Sequence, residues 1–184
     1  MKESVRTWLR FSVINLAIVA LLGVVMRYKI AFDFPFFDQK YIQHSHSHFA
    51  FAGWVSQAIM ALMVHRLGLS STLNYRRYRW VFIANLISSY GMLATFLIGG
   101  YWWLSIFFST ASIFVSYAFA WLFWRDLARN KTTGTAWYKA ALVFSILSSV
   151  GTFALAAMMA TKHIRQDFYL GAIYFYLHFQ YNGW

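Results

Sequence analysis

The chain has 184 residues, 60% of them apolar and 11% charged, with five acidic residues against sixteen basic ones. Soluble domains carry about a quarter charged residues, so this composition excludes an ordinary globular protein and points to an all-α, polytopic membrane protein. Cysteine is absent, which excludes disulfides, thiolate metal sites and a cysteine nucleophile. The net charge of +11 reads as basic loops that set membrane topology rather than as a nucleic-acid surface.

Six apolar stretches follow a short basic head, at about 9–26, 45–69, 80–98, 102–124, 140–160 and 168–184. The complete ones are close to the roughly 20 residues that a helix needs to cross a bilayer. Alternating patterns of the β-barrel kind are missing. The first run lacks a convincing cleavage site before Arg27-Tyr28-Lys29, so it reads as a retained helix rather than a secretory signal. Residues 27–43 read as a loop, and Gly99-Gly100 as a tight turn. The one proline, Pro35, falls in that loop. The last run is short and uncharged at its end, so the sequence is expected to be the N-terminal part of a longer protein.

Trp80, Trp102, Trp103, Trp121, Trp124, Trp137 and Tyr138 lie at run ends, as in the aromatic belts of membrane interfaces. With a cytoplasmic N-terminus, Lys2, Arg6, Arg10, Arg66, Arg76, Arg77, Arg79, Arg125, Arg129, Lys131 and Lys139 fall inside. Arg27, Lys29, Lys40, Lys162 and Arg165 fall outside. The positive-inside rule favours this orientation. It makes the chain a multi-pass protein of a bacterial inner membrane, with lipid as its first partner and residues 44–48 on the periplasmic side.

Those residues carry the chemistry. Gln43-His44-Ser45-His46-Ser47-His48-Phe49-Ala50-Phe51-Ala52-Gly53-Trp54 holds three of the six histidines. Positions i and i+4 share a helix face, so His44 and His48 point together. His46 points elsewhere unless the helix starts late. Neutral imidazole is the commonest metal ligand and suits copper, zinc and haem iron. The bland alternative is a solvated interfacial cluster. A partial echo occurs at His178-Phe179-Gln180-Tyr181-Asn182-Gly183-Trp184, so that both segments read His-Phe-x-aromatic-x-Gly-Trp. An ionisable residue such as His178 within a span is expensive and tends to face the bundle interior or a site. His65 and His163 read as boundary and loop residues, and Met158-Met159 as core filling. No carboxylate or basic residue falls deep in an apolar run, which argues against a proton pump or ion-coupled transporter. Walker, Rossmann and Ser-His-Asp patterns are missing.

The stretch His46-Ser47-His48-Phe49-Ala50-Phe51-Ala52-Gly53-Trp54-Val55-Ser56-Gln57-Ala58-Ile59-Met60 resembles the second helix of the haem-copper oxidase subunit I superfamily. It is closest to the divergent cbb3 and nitric-oxide-reductase branch. The resemblance implies that His48, then His46, then His44, is an axial haem ligand, with a b-type haem expected. It implies copper ligation by His178, with His48 and His44 as the further metal candidates. The activity implied is that of an oxidoreductase passing electrons to a small gas such as O2 or NO. Other respiratory subunits and a cytochrome c or quinol donor are the implied partners. The family's later ligands, a His-His pair and a second His-x-His, have no counterpart here. Two non-enzymatic readings stand beside this one: a haem or copper carrier, sensor or assembly factor of a respiratory complex, and a structural membrane subunit.

Overall fold

The computed structural model describes residues 3–68, 75–130, 132–161 and 165–184. Lys2, Leu69, Lys131, Lys162 and His163, which entered the reading of spans, topology and ligands, lie outside them. Regular structure among the described residues is helical throughout. In order come α1 (Glu3–Ala31), α2 (Gln39–Phe49), a π-helical segment (Ala50–Ser56), α3 (Gln57–Arg66), α4 (Tyr75–Gly99), α5 (Trp103–Arg129), α6 (Thr135–Thr161) and α7 (Gln166–Asn182). Among the described residues, five helical stretches are long and apolar enough to cross a membrane: Val5–Ala31, Gln39–Arg66, Tyr75–Gly99, Trp103–Arg129 and Thr135–Met159. The sixth, α7, has 17 residues.

The helices outrun the apolar runs at their ends. At about 1.5 Å per residue, the 28 residues of Gln39–Arg66 extend about 42 Å, against a hydrocarbon core about 30 Å thick. Polar residues can therefore be helical without entering lipid. Asp38 sets the early start of α2: its carboxylate accepts from the backbone N–H of Lys40 at 2.8 Å and of Tyr41 at 3.2 Å. This is an N-cap, which satisfies amides that the first turn leaves free.

The chain falls into two compact units, one ending at Phe119 and one starting at Ala120. In the first, α1 buries one narrow stripe, Val5, Trp8, Ser12, Asn15 and Val19, at alternating spacings of three and four. That spacing keeps one seam of a helix turned toward its neighbour. The seam packs along α2, the π segment and α3. The rest of α1, including Val13, Ile14, Leu21 and Val24, is exposed and apolar, as a lipid-facing surface is. Trp8 Nε1 donates to the Tyr75 hydroxyl at 2.7 Å and ties the start of α1 to α4. Ile42, Phe49, Met60, Val64, Phe82 and Phe96 fill the space between α2–α3 and α4.

α2, the π segment and α3 run on as one helix, with right-handed backbone at each junction. A π segment widens the turn and interrupts the ordinary hydrogen-bond ladder, and such segments occur often at functional sites. Away from water the affected carbonyls need donors. Asparagines from the two flanking helices supply them. Asn15 Nδ2 donates to the Gly53 carbonyl, and Asn85 Nδ2 to the Ala52 carbonyl at 2.9 Å. Tyr90 donates in turn to Asn15 Oδ1 at 2.6 Å. Gly53 is needed here because a Cβ would fall 2.8 Å from the Phe49 ring.

In the second unit α6 and α7 form an antiparallel hairpin with a close crossing. A Cβ on Gly151 would lie 2.5 Å from the Ala172 carbonyl oxygen. Ser148 donates to Gln180 Oε1 at 2.9 Å across the same seam, and Phe144 meets Phe179 at 5.5 Å. Asp126 is 1% exposed near the end of α5, beside Arg125 at 4.0 Å. A buried carboxylate two residues past Trp124 lies beyond where the apolar run ended.

Candidate functional site

Because Asp38 starts α2 at Gln39, residues 44–48 are all helical and the three histidines divide between two faces. Ser45, fully buried, donates to the Leu93 carbonyl at 2.8 Å and holds α2 against α4. His44 and His48 turn toward the end of α4 and the following turn. His46 turns toward α1.

His46 Nδ1 lies 3.1 Å from the backbone oxygen of Val19. A carbonyl carries no proton, so Nδ1 donates and the neutral ring keeps its lone pair on Nε2. This is how proteins commonly fix a ligating imidazole, with one nitrogen held by an acceptor and the other left for a metal. Across from the ring is Gly23, where an added Cβ would stand 3.5 Å from His46 Cε1. Both residues line a groove of about 800 Å³ between α1 and α2. Its wall is mostly apolar, from Ala20, Val24, Met26 and Ile30, with Arg27 and Gln39 as polar groups. The Gln39 Oε1 atom in that groove is buried and has no hydrogen-bond partner.

The other face is an aromatic cluster. The His48 ring stacks on Phe96 with centroids 4.5 Å apart and planes 9° from parallel. Its Nε2 is 3.0 Å from the Tyr101 hydroxyl. His44 meets Tyr101 edge to face at 4.6 Å. The turn after α4 places Tyr101: Gly100 has a φ of +57°, and the Tyr41 ring occupies the space its side chain would need. Tyr101 itself is 43% exposed, so the cluster is open on one side.

His178 is exposed on α7 of the second unit, with Nδ1 3.4 Å from Asn182 Nδ2 on the next turn. The echo between the two histidine segments is not structural. Gly53 sits inside a continuous helix, whereas Gly183 ends α7 and lets the Phe144 side chain approach. His65 Nδ1 is buried without a partner near the end of α3. Among the described residues no three His, Asp or Glu side chains converge as a metal-binding group. Sequence reasoning missed Asn15, Asn85 and Tyr101. Asp38 carried a readable signal, an aspartate just before a helix-compatible run.

No known protein family, curated protein or solved structure matches the chain.

Proposed function

We propose that this chain is a haem-binding membrane protein in which His46 would hold the haem iron. The observation that carries the reading is the His46–Val19 contact, which leaves Nε2 as the donor atom beside the groove. The groove's volume falls in the range of about 300–1,000 Å³ typical of small-molecule and cofactor sites. Its apolar wall suits a flat macrocycle, and Val24 and Ile30 leave it open on the lipid-facing side of α1. Arg27 offers a guanidinium to a propionate carboxylate, a pairing that is strong and directional. His48 fits the role less well, because its Nε2 is engaged by Tyr101 and one ring face is covered by Phe96. A bound haem would supply one-electron chemistry and a site for small gases, and the Val19-held imidazole of His46 would hold and tune it.

The proposal includes six spans, a cytoplasmic N-terminus and a bacterial inner membrane, with the histidine stretch at the periplasmic side. It takes α7 as the sixth span. The resemblance to haem-copper oxidases supplies the larger setting, electron transfer to O2 or NO with a cytochrome c or quinol donor and other respiratory subunits. A second reading, a haem carrier, sensor or assembly factor, is favoured by one observation. A copper centre of the haem-copper oxidase kind needs three converging histidines, and the described residues hold no group of three His, Asp or Glu side chains.

A reduced-minus-oxidised visible spectrum of the purified protein, with haem quantified per chain, tests the proposal. One b-type haem per chain supports it. A folded protein that takes up no haem, even when haem is added in excess, sinks it.

A further inference from the structure

On the face of α2 opposite the groove, we infer a divalent-metal site built from His44, His48 and the Tyr101 hydroxyl, with Cu2+ as its best ion. It involves none of the groove residues and stands whether or not haem binds at His46.

Two ligands each about 2.0–2.2 Å from one ion, at 90° to 109°, are about 2.8–3.6 Å apart. His48 Nε2 and the Tyr101 oxygen are 3.0 Å apart, so the pair already spans one edge of a coordination shell. His44 supplies the third donor. It precedes His48 by one helical turn on the same face, and the His44 and Tyr101 rings pack edge to face with centroids 4.6 Å apart. A histidine pair at i and i+4 brings two nitrogens to one ion without bending the backbone.

Rigidity is the second point. Phe96 is fully buried and backs the His48 ring face to face. It also meets Tyr101 edge-on at 5.0 Å, which orients the phenol. Ser45 fixes α2 to α4 between the two histidines. The His48–Tyr101 donor pair is therefore held before an ion arrives, and the exposed side of Tyr101 gives it a way in.

The chemistry balances simply. The ion takes the place of the proton shared between His48 and Tyr101. That proton leaves to water, the phenolate oxygen and the two imidazole nitrogens become ligands, and water completes the shell. Two neutral nitrogens and one phenolate suit Cu2+, which leads the divalent series for nitrogen and oxygen donors.

The test uses the full chain, purified, stripped with a chelator and titrated with Cu2+ alone. The chain has no cysteine to compete. One Cu2+ should bind per chain, with hyperfine splitting from two nitrogens in its electron paramagnetic resonance spectrum and a phenolate-to-copper charge-transfer band. His44→Ala or His48→Ala should weaken binding by at least the roughly 10–100-fold that follows loss of even an outer-shell partner. Tyr101→Phe should keep the two-nitrogen pattern and lose the charge-transfer band. His46→Ala, which touches the haem site and not this one, should leave the copper affinity and the two-nitrogen pattern unchanged. The inference is overturned by fewer than two nitrogens on the wild-type copper, a reading that needs no variant to fold. It is equally overturned if His46→Ala, and not His44→Ala or His48→Ala, abolishes the signal.

Discussion

Asn85 holds Gln57 and the π segment together: its Nδ2 donates at 2.9 Å to Gln57 Oε1 and at 2.9 Å to the Ala52 carbonyl. All of this is buried, and Gln57 Nε2 has no partner of its own. Asn85→Ala therefore strands two acceptors. It should destabilise the protein by about 1–3 kcal/mol, the range for buried groups left unsatisfied. Gln57→Met removes one of those acceptors together with the unpaired amide, and should cost less. Denaturant titration of both variants in the same detergent checks the order; a Gln57→Met variant less stable than Asn85→Ala contradicts it.

The α6–α7 crossing gives a paired prediction. At Gly151 a methyl group meets the Ala172 carbonyl and the Tyr176 backbone, neither of which can swing aside. At Gly171, on the partner helix, nothing lies within 4 Å of the added carbon. Gly151→Ala should therefore lose about 1–3 kcal/mol through overpacking, while Gly171→Ala stays neutral or gains slightly from helix propensity. Thermal unfolding of the two variants side by side reads the difference.

Asp38 makes α2 begin where it does. Asp38→Ala removes an N-cap worth about 1 kcal/mol, so the first turn should open about five-fold more often. Hydrogen exchange at the amides of Lys40 and Tyr41 reports this directly, because both donate to the Asp38 carboxylate. The amide of Ile42, bonded to the Asp38 carbonyl instead, should be affected less.

The absence of cysteine makes topology testable without background. Phe36 and Thr133 are both exposed, in the segments before α2 and before α6. In intact cells of a bacterial host, Phe36→Cys should react with a membrane-impermeant maleimide and Thr133→Cys only after permeabilisation. The reverse pattern would invert the proposed orientation.

The helical class was readable because apolar runs of spanning length have few other uses, whereas the helix ends were not: α1 continues to Ala31 and α2 starts at Gln39, inside the stretch that reads as a loop. The division of the histidines into a His44–His48 face and a His46 face was readable from helical spacing alone. The π segment was not. Ala50–Ser56 has an ordinary helical composition, and what supports its wider turns is donated by Asn15 and Asn85 from other helices. The ranking of the histidines was equally hidden. His46 is set apart by a backbone oxygen at Val19, 27 residues away, and backbone acceptors leave no trace in side-chain motifs. Tyr101 falls between the Gly99-Gly100 turn and the fourth apolar run, and only the fold brings its hydroxyl to His48.

The central claim is the identity of the haem ligand, and a haem titration of three purified proteins, followed at the Soret band, tests it most directly. The wild type and His48→Ala should each take up one haem with similar affinity. His46→Ala should lose the band or bind with a shifted, weakened one, while keeping the wild-type circular dichroism. Undiminished binding by folded His46→Ala, or loss of binding in His48→Ala alone, would contradict the assignment.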